Sequence, residues 1–456
     1  MGSRARWVTL FVALSFAGGV AVDAQQAIPR RLTLREAISL ALKQNLSVRV
    51  AGAQVEELEG TRERRGAALL PHVNGNAFAN RENIDLAAMG ISFPKINLPA
   101  LGFSFAVPSV VGPFAHYDFR LSASQALIDR HSYHNWKASE RQEEAAKLNY
   151  QDARDLVIRQ AAGLFLDSQA SAAEVEAAES RVTTSQTLEK LARDQHDQGL
   201  ATAVDVVRAQ VQLARDQQNL LVARNTYQTS LLVLAHFLGL SPGAPLELAE
   251  RLQFHHVPAP EAEQALHTAL EARSDYAALL KQRDSLVEQL KASRARYLPT
   301  LSVNGDYGAI GRNFGSMAGT GEIQGTLSVS LFDRDRAGEK TELQSQLKRL
   351  NAQIDDLSRQ IEQDLRTALL DLDSTENQVT VTEAALHLAE RELSLAQDRF
   401  RNGVTDNIEV VTAQDALASA QDDRIMALAR HADAGMALAR GLGATEKIFQ
   451  SFLGEP

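Results

Sequence analysis

No cysteine occurs among the 456 residues. That absence excludes a disulfide scaffold, a thiolate metal site, a cysteine nucleophile and an acylated cysteine as a lipid anchor. Aromatics are scarce, with Trp 2, Tyr 7 and Phe 16. A compact enzyme of this length usually carries more of these large core anchors, so the balance moves toward long helices. Basic side chains are outnumbered 47 to 57, for a formal net charge of −10, which argues against nucleic acid as a partner. Beyond the N-terminal segment no run approaches about 18 consecutive apolar residues, so any membrane span must be made of strands and not of a helix.

What is present begins with a leader. Arg4 and Arg6 precede an apolar stretch from Trp7 to Ala17, and the small residues up to Ala24 fit a cleavage site. Residues 1–24 are therefore expected to be a secretory signal peptide, removed on export.

Comparing the chain with itself organises the rest. At an offset of 228, Ala37, Ile38, Ala41, Leu42, Leu70 and Pro71 fall on Ala265, Leu266, Ala269, Leu270, Leu298 and Pro299. At an offset of 204, Leu127, Asp129, Gly199, Asp205, Gln210 and Gly239 fall on Leu331, Asp333, Gly403, Glu409, Gln414 and Gly443. One unit is used twice: a first repeat over 25–240 and a second over 261–443, separated by a linker at 241–260 and followed by a tail at 444–456. The offsets differ by 24, so the first repeat carries an insertion, placed within 83–113, where Phe93, Pro94, Pro99, Phe103, Phe105, Pro108 and Pro113 read as a long apolar loop.

Each repeat parses alike. A helix over 33–69 (261–297) ends at Pro71 (Pro299) and gives way to strands at 72–81 and 117–128 (300–311 and 323–332). A helix of roughly 100 Å follows over 130–196 (334–400). The chain turns at Gly199 (Gly403) and returns over 204–238 (408–442). Leu365, Leu372, Val379, Leu386, Leu393 and Phe400 keep a spacing of seven, with Ala368, Thr375, Thr382, Ala389 and Ala396 beside them as a small-sided seam. Leu357, Ile361 and Leu365 step by four twice, a stutter that unwinds the supercoil. The helices alone also fit an ordinary coiled-coil adaptor.

The strands tip that balance. Val73, Gly75, Ala77 and Ala79 alternate with His72, Asn74, Asn76, Phe78 and Asn80, and Leu327, Val329 and Leu331 alternate with Thr326, Ser328 and Ser330. One apolar and one small polar face suit lipid outside and water inside. Four strands cannot close a barrel and open edges are not tolerated in lipid, so other copies must complete it; three copies make twelve strands around an aqueous lumen.

At this point the residues resemble a known family, the TolC-type outer-membrane efflux proteins, over essentially the whole chain after the leader. The resemblance rests on Leu32-Thr33-Leu34-Arg35-Glu36-Ala37 with Ala41-Leu42-Lys43-Gln44-Asn45, on Tyr297-Leu298-Pro299 and Leu331-Phe332-Asp333 at the strand borders, and on the two turns starting at Gln198 and Asn402. It implies an α+β membrane protein. Long antiparallel coiled-coil helices form a trimeric α-barrel in the periplasm, and four strands per chain contribute to a twelve-stranded transmembrane β-barrel. An equatorial region comes from about 241–260 and the C-terminus. The implied function is a homotrimeric exit duct that receives cargo from an inner-membrane transporter through a periplasmic adaptor, with no catalysis and no cofactor. The alternative from another class is a periplasmic adaptor or structural coiled coil without a barrel.

The resemblance also implies site residues. The turns at Gly199, Leu200, Ala201, Gly403, Val404 and Thr405 would meet the adaptor. Acids after the second turn would ring a constriction: Glu409 matches the family position, a second acidic position falls on Thr412, Asp406 or Asp415 would add charge, and Asp205 is the counterpart in the first repeat. A basic residue often found near the tip is replaced by Thr405. A local reading stands beside this one, because Thr202 to Asp205 and Asp406 to Glu409 have capping-box spacing, where an acid answers the helix dipole. Three copies of one acid near an axis would repel and raise their pKa values.

Other chemistry is thin. His131 with His134 and His255 with His256 lack a third ligand for a metal. Gly308, Gly311, Gly315, Gly319 and Gly321 have no lysine at phosphate-loop spacing and read as a flexible hairpin tip.

Overall fold

A computed structural model of the chain describes residues 30–92, 96–98, 103–105, 107–241, 243, 245–443 and 445–446. Residues 1–24, expected to be a leader, and most of the expected tail lie outside the described residues.

The first half runs β1 (Arg30–Leu32), α1 (Leu34–Gln44), α2 (Leu46–Ala67), β2 (His72–Asp85), β3 (Ile96–Leu98), β4 (Phe103–Phe105), β5 (Val110–Ile128), α3 (Arg130–Asp197) and α4 (Ala203–Phe237). The second runs β6 (Leu246–Leu248), α5 (Ala262–Ala272), α6 (Ser274–Ala295), β7 (Thr300–Gly311), β8 (Ala318–Ser328), α7 (Asp335–Arg401) and α8 (Asn407–Gly441). Helix lengths recur between the halves: 11, 22, 68 and 35 residues in the first, 11, 22, 67 and 35 in the second. Among the described residues no helix is long and apolar enough to cross a membrane.

The expected single helix over 33–69 is two helices, broken at Asn45, and its counterpart over 261–297 is broken at Arg273. Both residues are extended, with φ −62, ψ 133 and φ −70, ψ 120. Asn45 caps α2 by accepting from the Ser47 N–H, and its amide donates to the Phe237 carbonyl at 3.4 Å. The break makes room for a neighbour. Gly239 (φ +71) ends α4 against Gln44, where a Cβ would lie 2.9 Å from the Gln44 Cβ, and Gly443 (φ +67) ends α8 against Ala272 and Arg273, where a Cβ would lie 2.8 Å from the Arg273 nitrogen.

In α7 the spacing of seven is the buried stripe: Leu365, Leu372, Val379, Leu393 and Phe400 are buried together with Ala368, Thr375, Ala389 and Ala396. Its partner is α8. Side by side, α4 meets α3, α3 meets α8 and α8 meets α7 in the half of the rod nearer the turns, while α2, α3, α6 and α7 are neighbours in that order nearer the strands. Alanine dominates these contacts, so helices approach closely and little bulky core is needed. The strand β1 pairs in parallel with β6, Arg30 opposite Leu246, tying the linker to the start of the chain.

The antiparallel sheet has the order β2-β5-β7-β8. Pairings of Val73 with Ala123, Leu121 with Tyr307 and Gly305 with Ile323 put the apolar positions on one face, and Asn76 with Arg120, Ser122 with Asp306 and Asp306 with Glu322 put the polar ones on the other. The apolar face is uncovered, with Ile323 86% exposed. Two expectations are corrected here. The segment 83–113 is not simply a loop: β2 runs on to Asp85, β5 begins at Val110, and Ile96–Leu98 pairs with Phe103–Phe105. The second hairpin also turns earlier than expected, so its returning strand is Ala318–Ser328 and not 323–332, and Gly319 and Gly321 lie inside it opposite Ala309 and Tyr307. These glycines let the Tyr307 ring lie across the neighbouring strand, its hydroxyl 3.1 Å from where a Gly319 Cβ would be.

Candidate functional site

The two helical hairpins end in the same device. Gly199 (φ +77) and Gly403 (φ +66) adopt the left-handed conformation that stops α3 and α7. Behind each, the N–H of the next residue folds back, Leu200 onto the Gln195 carbonyl (2.8 Å) and Val404 onto the Arg399 carbonyl (3.0 Å), which satisfies carbonyls the helix end leaves free. Nothing lies within 4 Å of either glycine's Cβ position. Leu200 and Val404 are exposed at the tips, and Ala201 and Thr405 are half-buried.

Asp205 is committed to its own helix. Thr202 caps α4 in a reciprocal box: its hydroxyl (2.6 Å) and backbone N–H (3.0 Å) both donate to the Asp205 carboxylate. The Asp205 side chain is 9% exposed. Burial by itself pushes this carboxyl up, but the Thr202 hydrogen bonds and the nearby Arg208 charge outweigh it and hold Asp205 below the ordinary carboxylate range. The local capping reading of Asp205 therefore describes its surroundings. Across the molecule the corresponding turn differs: Asp406 is the cap of α8, accepting from the Ile408 N–H (3.1 Å), and Glu409 reaches back to Arg399 on α7 (3.5 Å), 40% of its side chain exposed. The Thr412 hydroxyl donates to the Ile408 carbonyl (2.9 Å) on an exposed face of α8.

The two tips are joined by residues that the sequence reading did not single out. Asn407 is fully buried. Its amide donates to the Asp205 carbonyl (2.6 Å), and its oxygen accepts from Arg208 (2.7 Å), which also pairs with the Asp205 carboxylate (3.3 Å). One helix turn away, Gln195 on α3 donates to the Phe400 carbonyl (3.0 Å), and Gln212 on α4 donates to Asp415 on α8 (3.3 Å). Further from the tip, Arg181 on α3 pairs with Asp422 and donates to Gln421 (3.2 Å) and to the Ala418 carbonyl (3.3 Å) of α8. Between these polar links lies an apolar cluster of Leu188, Ala192, Ala209, Leu393, Ala396, Phe400, Val410 and Ala413, drawn from all four helices. The sequence did hold a signal. Asn407 is the repeat counterpart of Ala203, and Arg208 that of Thr412, so the link is made at positions where the halves differ.

This arrangement holds a first-half hairpin and a second-half hairpin together through side chains, with no acid, base and nucleophile converging. Three of the four histidines in the two pairs are likewise engaged: His131 bonds the Ala292 carbonyl (3.0 Å), His134 pairs with Glu288 (2.8 Å), and His256 pairs with Glu376 (2.9 Å). Among the described residues no group of three or more His, Asp or Glu side chains is disposed to hold a metal.

The family described as outer membrane efflux protein matches residues 37–240 and again 265–444. The chain belongs to the outer membrane efflux protein family. Its fold is that of solved outer-membrane channels. The CmeC channel of Campylobacter jejuni superposes with a TM-score of 0.78 at 16% identity, covering 92% of this chain and 88% of that one. VceC of Vibrio cholerae gives 0.74 at 18%, covering 90% and 96%, and the outer-membrane channel OprN gives 0.75 at 18%, covering 90% of each. No curated protein sequence matched the chain. This outer membrane efflux protein is thus an outer-membrane channel that is mostly helical with an antiparallel sheet.

Proposed function

We propose that the chain is the exit duct of a tripartite efflux or secretion system, working as a homotrimer. On this reading it is exported through a cleaved leader, spans the outer membrane through its strands, and reaches through the periplasm to an adaptor and an inner-membrane transporter. The observation that carries this reading is the edge structure. At every level the outer elements of the chain belong to different halves: β2 and β8 in the sheet, α2 and α7 beside it, α4 and α7 toward the tips. Unlike edges on opposite sides favour a head-to-tail contact that closes into a ring. A sheet with an exposed apolar face and two open edges is not stable in lipid unless copies complete it, and three make twelve strands.

The gate is proposed at the tips. Opening would move the α7–α8 hairpin away from α3–α4, breaking the Asn407, Arg208, Gln195 and Gln212 links. Glu409, with Asp406 and Thr412, is the proposed constriction lining; Asp205 acts through its cap and its carbonyl. The exposed Leu200 and Val404, flanked by Gly199, Ala201, Gly403 and Thr405, are the proposed adaptor contact. Detergent-extracted protein should run as three chains and conduct in planar bilayers. A species of one chain, or none conducting, overturns the duct. Replacing Glu409 by Gln should weaken divalent-cation block, and unchanged block would remove Glu409 from the constriction.

A further inference from the structure

The chain is acidic as a whole, yet one level of it is not. Where the helices meet the sheet, Arg64 and Arg65 lie in the last turn of α2, Arg294 in the last turn of α6, Arg130 is the first residue of α3, and Arg334 caps α7. All five are exposed, and none has an ion-pair partner among the described residues. Acids at the same level are otherwise engaged: Asp333 pairs with Arg296 and Arg336, Asp335 and Glu339 with Arg296, Glu288 with Lys291 and His134, and Asp129 accepts from Ser132. Glu63 alone stands beside Arg64 without an ion pair among the described residues.

Arginines at the ends of α2 and α6 suit the negative pole of the helix dipole. Arg130 and Arg334 do not, because they sit at the positive pole, where a cation is disfavoured. They are also repeat counterparts, 204 positions apart. Acids of the chain flank each, Asp129 before Arg130 and Asp333 and Asp335 around Arg334, but those carboxylates are turned to Ser132, Arg296 and Arg336, which leaves both guanidinium groups open to an external anion. Immediately toward the sheet is an uncovered apolar collar of Leu70, Leu127, Tyr297, Leu298, Leu331 and Phe332, with Leu331 91% and Phe332 88% exposed. An apolar band edged by aromatic and cationic side chains is the pattern of a membrane–water interface.

We propose that Arg64, Arg65, Arg130, Arg294 and Arg334 form a collar that binds the anionic headgroups of phospholipids at the periplasmic surface of the outer membrane. The partner is the phosphodiester of an anionic phospholipid at a bilayer surface. The guanidinium forks match phosphate oxygens bidentately, and the collar above receives the acyl chains. The inference rests on the strand-spanning reading above, and it sets the depth at which the duct sits in the bilayer.

The test uses the full-length assembled protein and a variant carrying R64Q, R65Q, R130Q, R294Q and R334Q. Each is equilibrated with mixed micelles of phosphatidylcholine and phosphatidylglycerol, washed, and its bound lipid counted by mass spectrometry. Wild type should retain phosphatidylglycerol in excess over its share of the mixture, the excess should fall in high salt, and the quintuple variant should lose it. Each single substitution should lower the apparent affinity about fivefold, as expected for one basic side chain at an anionic surface. Equal retention by wild type and variant overturns the proposal, as does displacement of the lipid by inorganic phosphate at matched concentration, which would mean a phosphate site with no role for the bilayer. Conductance in pure phosphatidylcholine bilayers, measured in parallel, keeps the two readings apart. A variant that conducts normally while retaining phosphatidylglycerol sinks the collar alone, and a wild type that never conducts sinks the duct.

Discussion

Asn407 concentrates the tip linkage in one side chain. Its amide and its oxygen both cross from the second half of the chain to the first, in a setting without solvent, so removing it leaves the Asp205 carbonyl and the Arg208 guanidinium short of a partner. Losing a buried partner costs about 1–3 kcal/mol. Asn407→Ala is therefore expected to raise the open probability of single channels in planar bilayers while the assembly stays intact; unchanged gating would show that this link does not hold the tips closed. Asp155 makes a second case. Burial pushes its carboxyl up to about 6, and the pull of Arg440 (3.9 Å) only partly opposes that. Arg440 is already shared with Asp152 and Asp275. Because the folded-state pKa is raised, the fold binds the proton more tightly than the unfolded chain does. The stabilisation is complete below about pH 4 and is lost as pH rises through about 6. Asp155→Asn should melt higher than wild type at about pH 7.5, and its advantage should vanish by about pH 4.5. A constant difference across that window would assign Asp155 no proton-linked role.

The helices themselves were largely readable, because a buried stripe repeats every three or four residues whatever it packs against. Leu365 through Phe400 show this: the spacing of seven in the sequence is the stripe that α7 buries. Their interruptions were less so. Asn45 is a good cap, yet Arg273 at the matching place has no side-chain cap, and the break there follows from Gly443 arriving against the backbone. Glycines of similar φ should then differ in cost. Gly403→Ala meets open space and should lose roughly 1–2 kcal/mol for the left-handed backbone alone. Gly443→Ala adds a contact at 2.8 Å with the Arg273 nitrogen and should lose clearly more. Thermal melts of the two variants followed by helical circular dichroism check this, and equal losses would refute it. The strand borders shifted for a related reason. Alternation placed Thr326, Leu327 and Ser328 on their faces, whereas Val329, Ser330 and Leu331 lie beyond the end of β8; which residues pair depends on where the turn closes, and a ring lying over Gly319 and Gly321 is not visible in a period of two.

Taken whole, the chain is an unclosed wall. Its edges are β2, α2 and α4 on one side and β8 and α7 on the other, and exposed apolar side chains such as Val207 on α4 and Leu395 on α7 run along them. The lack of cysteine turns into an experimental advantage, since any thiol introduced is the sole one. Val207→Cys combined with Leu395→Cys, treated with a short bis-maleimide in intact membranes, should give linked species of two and three chains and none larger. Products that stop at two, or that continue past three, would exclude a ring of three.

Periodicity, capping spacing and self-similarity are local properties of a chain, written by neighbours a few residues apart or by duplication. They sufficed for the four long helices and β7 and for the turns at Gly199 and Gly403. The Asn407 link spans 202 positions, the Gly443 contact about 170, and the β5–β7 pairing nearly 190. Which helix lies beside which, where α1 and α5 must stop, and which side chains tie the two hairpins are settled by packing the whole rod at once. The same sequence periods are compatible with many lateral orders of helices, and only close contact between small side chains selects one.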